Sequence, residues 1–238
     1  MNFAGKNILV VGGSSGIGLS LVKLLHEEGA AVYVVSRSAA EAWPPEVRFL
    51  QADVLGDLNA VEPFLPQQLH GFVYSVGSIT LKPFARLTDD DFLTDYQLNT
   101  LGAARMLRQS FKPLKNAAGA SVVLISSVAA KTGLPFHASI AAAKGAVEGM
   151  AISLAAELAG QQIRVNVVAP SLTDTSLAQN LLSTPEKREA SAKRHPLGKV
   201  GKPEDIGQLI AFLLSENSSW MTGQVIGLDG GLGNLKTS

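Results

Sequence analysis

Val11-Gly12-Gly13-Ser14-Ser15-Gly16-Ile17-Gly18 follows a short apolar run, Asn7-Ile8-Leu9-Val10, and opens a segment with Ile17, Leu21, Leu24 and Leu25 at helical spacing. An apolar run of this length, bounded by glycine, reads as a parallel strand buried on both faces. Gly29 closes the helical pattern, as glycine commonly does at a helix C-terminus. Glycines between such a strand and helix permit positive φ and let the backbone approach a pyrophosphate closely. The helix N-terminus beyond them offers unpaired N–H groups and a partial positive charge to that anion. The stretch therefore reads as the first strand, phosphate-binding turn and first helix of a dinucleotide fold.

Working outward, apolar runs at 31–36, 47–51, 71–75, 120–125, 163–168 and 224–228 read as further strands. Helical patterns at 90–114, 137–158 and 203–214 lie between them, the last with Pro203 at its first position and acids after it, a helix start signal. The crossover from Ser36 to Val47 contains Pro44 and Pro45, so a loop or single turn is expected there. Alternating strands and helices imply an α/β architecture: a Rossmann-type doubly wound parallel sheet of about seven strands, helices on both faces. No linker, repeat or composition shift divides the chain, so residues 1–238 are expected to form one domain.

Composition narrows the function. The chain has 238 residues, 46% hydrophobic and 17% charged, which fits a globular core and not a disordered one. Twenty basic residues balance twenty acidic ones, so the electrostatic footprint of a nucleic-acid binder is missing. Without cysteine, and with four scattered histidines, disulfides, thiolate chemistry and a metal site are not expected. The N-terminus lacks signal-peptide features and no apolar stretch reaches eighteen residues, which leads to the expectation of a cytoplasmic protein off the membrane.

The spacing Gly12-xxx-Gly16-x-Gly18, with the landmarks downstream, resembles the short-chain dehydrogenase/reductase family from Lys6 to Gly231. Asp53-Val54, Asn99, Ser127, Lys144, Arg164-Val165-Asn166, Pro170, Thr175, Gly201 to Asp205, Thr222-Gly223-Gln224 and Asp229-Gly230-Gly231 carry the resemblance. The flavour is that of 3-oxoacyl-carrier-protein reductases and related carbonyl reductases. The resemblance implies catalytic roles for Ser127, Lys144 and Asn99. It implies cofactor contacts from Gly12, Ser14, Ser15, Gly16, Ile17, Gly18, Ser36, Arg37, Asp53 and Val54. Further contacts are implied from Ser75, Val76, Gly77, Ile125, Lys144, Pro170, Ser171, Thr173 and Thr175, with no metal. It also implies a homodimer or homotetramer built on the helices at 90–114 and 137–158, and a variable substrate loop at 174–199 whose length suggests a mobile lid.

Cofactor choice is read at the end of the second strand. Family members that prefer NAD carry an acid there, whereas this chain has Ser36 followed by Arg37. An acid repels a 2′-phosphate; a hydroxyl and a guanidinium bind it with charge-assisted hydrogen bonds. NADP(H) is the expected cofactor.

One position departs sharply. The family writes its proton donor and lysine as Tyr-xxx-Lys, one turn apart on a helix face. Here Ile140 lies four residues before Lys144 and thirteen after Ser127, and isoleucine has no proton to give. Of the tyrosines, Tyr33 and Tyr96 read as core residues, and Tyr74 ends the fourth strand near the cofactor. His137, three residues before Ile140, is an acid candidate near neutral pH, although a helix-start role is the favoured reading. A water held by Ser127, Lys144 and Asn99 is the other candidate. Two smaller departures are Tyr74-Ser75-Val76-Gly77, where the family has Asn-Asn-Ala-Gly, and Pro170-Ser171, where it has Pro-Gly. The leading reading is an NADP(H)-dependent oxidoreductase acting on a small-molecule carbonyl or alcohol, a 3-oxoacyl thioester or related ketone among them. The alternative is a cofactor-binding pseudoenzyme or non-catalytic subunit, because the site lacks its tyrosine.

Overall fold

Strand β1 (Asn7–Val11) pairs in parallel with β2 (Ala31–Ser36) on one side and β4 (Gly71–Tyr74) on the other. Being central, it needs apolar side chains on both faces, and Leu9, Val10 and Val11 are fully buried. The computed structural model describes residues 1–236. With β3 (Arg48–Gln51), β5 (Ser121–Ile125), β6 (Arg164–Pro170) and β7 (Val225–Leu228), the strands form one sheet of order β3-β2-β1-β4-β5-β6-β7. Every pairing is parallel, the doubly wound arrangement expected from the sequence.

Alternation along β1 divides the core. Ile8 and Val10 join Leu21, Val22 and Leu25 of α1 (Gly16–Glu27) and Ile206, Ile210 and Leu213 of α7 (Pro203–Leu214). Leu9 and Val11 join Met106 and Leu114 of α4 (Gly102–Asn116) and Val147, Ala151 and Leu158 of α5 (Ala138–Leu158). A one-turn α2 (Val61–Phe64) follows β3.

The segment 90–114, expected as one helix, is broken. Helix α3 (Asp89–Tyr96) passes into a π-helical turn, Gln97–Leu101, before α4 resumes at Gly102. The Gly102 N–H reaches back to Gln97 O, and the buried Tyr74 hydroxyl donates to Leu98 O at 2.6 Å. A Cβ at position 102 would lie 2.3 Å from that hydroxyl. The turn thus widens where a residue without a side chain lets the phenol approach, a tertiary cause that helical periodicity does not carry. Such turns frequently sit at functional sites, and this one holds Asn99.

The loop expected at 174–199 also contains regular structure: a 3₁₀ segment, Ser176–Leu182, and helix α6 (Pro185–Lys193). Thr184 caps α6, and Arg188 pairs with Asp174 at 2.6 Å. The polar composition of α6 leaves it without the apolar stripe by which a helix is recognised. The crossover after Ser36 is a loop as expected, and its Trp43 indole donates to Gly13 O at 2.8 Å, pinning the glycine turn from above.

That turn is packed tightly. Gly12 has φ +84°, and a Cβ there would lie 2.8 Å from the Val76 side chain. A Cβ at Gly18 would meet Gly12 O at 2.1 Å, so the helix start sits directly on the strand end. Gly18→Ala is expected to destabilise the protein by about 1–3 kcal/mol through overpacking. A lower urea midpoint with unchanged m-value is the measurement that checks it.

Candidate active site

The carboxyl ends of β1, β2 and β4 open on an elongated groove of about 650 Å³. Gly12, Ser14, Ser15, Gly16 and Ile17 line it from the glycine turn, Ser36 and Arg37 from the end of β2, and Asp53 and Val54 from the segment after β3. Ser75, Val76, Gly77 and Thr175 complete it. Gly18 does not reach the groove; it stands behind Gly12 as the contact just described. The Ser36 hydroxyl donates to Ser38 O at 2.7 Å, so the free donors at this end are those of the exposed Arg37 and of Ser38. The Asp53 carboxylate accepts the Leu55 N–H at 2.9 Å, which fixes the segment that carries Val54.

Ile17, Ser75, Val76, Gly77 and Thr175 also belong to a second cavity, of about 280 Å³. Ile125, Ser127, Ile140, Lys144, Pro170, Ser171 and Thr173 line it, so groove and cavity adjoin along the residues they share. Ser127 caps a short turn after β5, its oxygen accepting the Ala129 N–H at 3.2 Å. The hydroxyl proton is left to donate into the cavity.

Lys144 comes from the buried side of α5, and its ammonium donates to Ile125 O at 2.9 Å. Burial pulls its pKa down to about 8, opposed by the charge of Asp95. Asp95 is itself fully buried, an arrangement tolerated only because its oxygens are paired. Ser78 and Thr80 donate to one oxygen at 2.5 and 3.0 Å, and Ser139 donates to the other at 2.7 Å. Asn99 donates to Ser78 Oγ at 2.9 Å and to Asp95 O at 2.8 Å. Asn99 does not line the cavity; it stands behind Gly77, where a Cβ would lie 3.1 Å from Asn99 Oδ1 and 3.5 Å from Lys144 Nζ. Asn99 Oδ1 is buried without a hydrogen-bond partner. An acceptor aimed beside an ammonium in this way marks a place for a donor.

Ile140 lies on the cavity wall and is buried. The tyrosines do not stand in for the missing acid. Tyr74 is buried and bonded to Leu98 O, and burial raises its pKa strongly. Tyr33 packs edge-on against Phe64, the core role expected of it. Tyr96, expected in the core, is 47% exposed, because α3 presents Asp95 inward and turns the adjacent residue to solvent. His137 immediately precedes α5 at the cavity rim, its Nδ1 2.7 Å from Pro135 O, which matches the helix-start reading.

Three polar residues in and around the cavity carry no motif in the sequence. Asp95, one helical turn before Asn99, and Ser139, beside Ile140, had only their spacing to announce them. His195 had no local signal: it is buried, lines the cavity, and sits 2.8 Å from the Ser171 hydroxyl. Among the described residues no group of three His, Cys, Asp or Glu side chains is arranged to hold a metal ion.

A family model described as enoyl-(acyl carrier protein) reductase matches residues 11–233. The chain is 33% identical over 247 residues to a 3-oxoacyl-(acyl-carrier-protein) reductase FabG of Thermotoga maritima, covering 98% of this chain and 99% of the relative. It is also 33% identical to the L-xylulose reductase of Bos taurus, over 97% of this chain and 98% of the relative. Among solved structures it is similar to a short chain dehydrogenase family protein of Francisella tularensis, with TM-score 0.90, 29% identity and coverage of 96% and 99%. ElxO with NADP bound gives TM-score 0.87 and 25% identity over 95% of this chain and 98% of that one.

The buried lysine has a measurable consequence in the cofactor-free protein. The folded state gives up the Lys144 proton near pH 8 and the unfolded chain near the usual 10.5. Between those values the unfolded chain binds more protons, so stability rises with pH; below pH 8 the burial cost is present in full. Lys144→Met is expected to be more stable than the parent at pH 7, by on the order of 2–3 kcal/mol. The difference should shrink toward pH 10, and paired urea titrations at the two pH values measure it.

Proposed function

Because this chain belongs to the short-chain dehydrogenase/reductase family, in the branch of the 3-oxoacyl-carrier-protein reductases, we propose that it is an NADP(H)-dependent enzyme interconverting a carbonyl and an alcohol. The supporting observation is that the groove and the cavity adjoin along Ile17, Ser75, Val76, Gly77 and Thr175. A dinucleotide lying along the glycine turn would bring its reactive end to Ser127 and Lys144, with Asn99 behind Gly77. The fit to such a cofactor rests on two features of the chain itself. Gly12 and Gly18 keep the turn free of the Cβ atoms that would fill or displace it, leaving the α1 N-terminus open to a pyrophosphate. The orphaned Asn99 Oδ1 awaits a donor beside Lys144.

A reduced nicotinamide, when bound, supplies a hydride. The residues of the chain do the rest. Ser127 donates its hydroxyl hydrogen to the substrate oxygen and fixes the carbonyl. Lys144 would hold the ribose end of the cofactor, and its charge would stabilise negative charge developing nearby. Asn99 orders a water beside Gly77. Ile79, Leu81, Leu134, Leu177, Leu181 and Leu232 give the cavity an apolar lining, which suits an apolar ketone or an acyl thioester more than a polyol.

The exposed side of α5 supports a homodimer or homotetramer. By length and composition the segment Ala138–Gln161 would suffice to cross a membrane, yet its inner side is spent on the sheet. The outer side carries Ala142, Gly149, the 53%-exposed Ile152 and Ala156, a small-residue surface suited to close approach by another copy.

A second reading, a cofactor-holding protein without turnover, rests on Ile140 alone. Calorimetry and a turnover panel of ketones and 3-oxoacyl thioesters with NADPH decide between the two. NADPH is expected to bind at least about tenfold more tightly than NADH, about 1.4 kcal/mol, and Arg37→Asp is expected to reverse that order. Equal affinities in the parent would remove the NADP assignment, and cofactor binding without turnover across the panel would favour the second reading.

A further inference from the structure

We propose that Ser171 and His195 form a proton-donating pair that takes over the role left open at Ile140. The inference rests on the reductase reading. Ser171 directly follows Pro170, the last residue of β6, and faces the same cavity as Ser127, Ile140 and Lys144. Its Oγ lies 2.8 Å from His195 Nε2. The other ring nitrogen, Nδ1, lies 2.8 Å from Ser191 O, and a carbonyl only accepts. Nδ1 therefore carries a hydrogen, which leaves Nε2 to exchange its proton with the serine.

The ring is held for this purpose on three sides. His195 is 4% exposed. Its Cβ, Cγ and Cδ2 lie against the Gly230–Gly231 turn, whose Asp229 carboxylate accepts the Gly231 and Gly233 N–H groups at 2.8 and 2.9 Å. The backbone closes around it through Leu197 N–H to Gly230 O and Gly198 N–H to His195 O. A histidine whose two nitrogens are aimed, one at a carbonyl and one at a hydroxyl in a cavity, has the layout of an oriented acid-base group. Arg194 beside it, Lys144 and His137 across the cavity, and Asp229 on the turn behind it are the charged and titratable groups around the ring.

The step balances as follows. With a reduced nicotinamide bound, its hydride would form the new C–H bond and the carbonyl π pair would move to oxygen. The Ser171 O–H bond breaks as its proton passes to that oxygen, and imidazolium Nε2–H of His195 returns a proton to Ser171 Oγ. His195 ends neutral and the product is the alcohol. Ser171 is a catalytic residue that joins Ser127 at the substrate oxygen, and His195 is a positioning residue that acts through it. His137 is the weaker candidate, because its Nδ1 lies 2.7 Å from Pro135 O of its own loop.

The test uses the full chain with NADPH and the ketone panel. Ser171→Ala and His195→Gln are each expected to lower kcat by about a hundredfold or more, with NADPH affinity nearly unchanged. Ser171→Thr should retain activity, and Ile140→Tyr should restore turnover to the Ser171→Ala protein, which repair of a merely structural defect would not do. The pH profile of kcat should differ between the parent and His195→Gln. In the cofactor-free protein, long-range ¹H–¹⁵N spectra should show His195 with its neutral-form hydrogen on Nδ1, and Ser171→Ala should shift its Nε2 resonance. Full activity in both variants, loss on His137→Ala instead, or a His195 spectrum indifferent to Ser171→Ala overturns the pair alone. No turnover by the parent on any substrate overturns the reductase reading and the pair with it.

Discussion

Between β1 and β4 the chain changes direction across the sheet: β2 and β3 are laid to one side of β1, and β4 to β7 to the other. The crossover from β1 to β2 packs α1 on one face, and those from β4 to β5 and β5 to β6 pack α4 and α5 on the other, so the loops leaving β1 and β4 part and a crevice opens above the carboxyl ends. Every polar feature of the site is hung on that divide. The glycine turn lines one wall of the crevice, Ser75 to Gly77 the other, and the contact of a Gly12 Cβ with Val76 shows how closely the walls approach. Trp43 closes the turn from the β2 side through Gly13 O. A side chain in the turn would separate the strand end from the helix start and spoil the crevice before any ligand arrived.

Behind the crevice lies a buried polar cluster that ties three elements together. Asp95 from α3, Ser78 and Thr80 from the loop after β4, and Ser139 from α5 share one carboxylate. An unpaired carboxylate there would be prohibitively costly, and even a paired one gains little net stability over an apolar packing. Its value lies in placement: Ser78 also accepts from Asn99, and the Asp95 charge supports the ammonium of Lys144. The substitution at Ile140 leaves this support intact. Lys144 and Asn99 are still held in costly positions, which is difficult to reconcile with a chain that needs only its core.

Some site residues were legible because their chemistry repeats at fixed spacing along a single element. The strand–glycine–helix start, Ser127 at the end of β5 and the four-residue step from Ile140 to Lys144 are of this kind. Others were misread because a neighbour outside the local pattern decided them. The π turn at Gln97–Leu101 answers the Tyr74 hydroxyl more than twenty residues earlier, and no periodicity within 90–114 contains that hydroxyl. The place of Tyr96 in the helix before Asn99 reads as a core position, whereas α3 spends its inner face on Asp95. Helix α6 lies within the substrate loop that the family resemblance implies, and its polar composition hides a segment fixed by Thr184 and by the Asp174–Arg188 pair.

The sequence by itself determined the parallel α/β sheet, the dinucleotide turn and the absence of a tyrosine before Lys144, because each is a statement about residues near one another in the chain. Only the tertiary structure decided that Ser171 and His195 meet. They lie 24 residues apart, on a strand end and at the far side of an excursion through α6, with no periodicity to link them. Their meeting depends on where the Gly230–Gly231 turn holds the ring, a contact between segments that share nothing along the chain. The same physics sets the Lys144 titration: burial is a property of the packed whole, and a lysine in a sequence carries no mark of it.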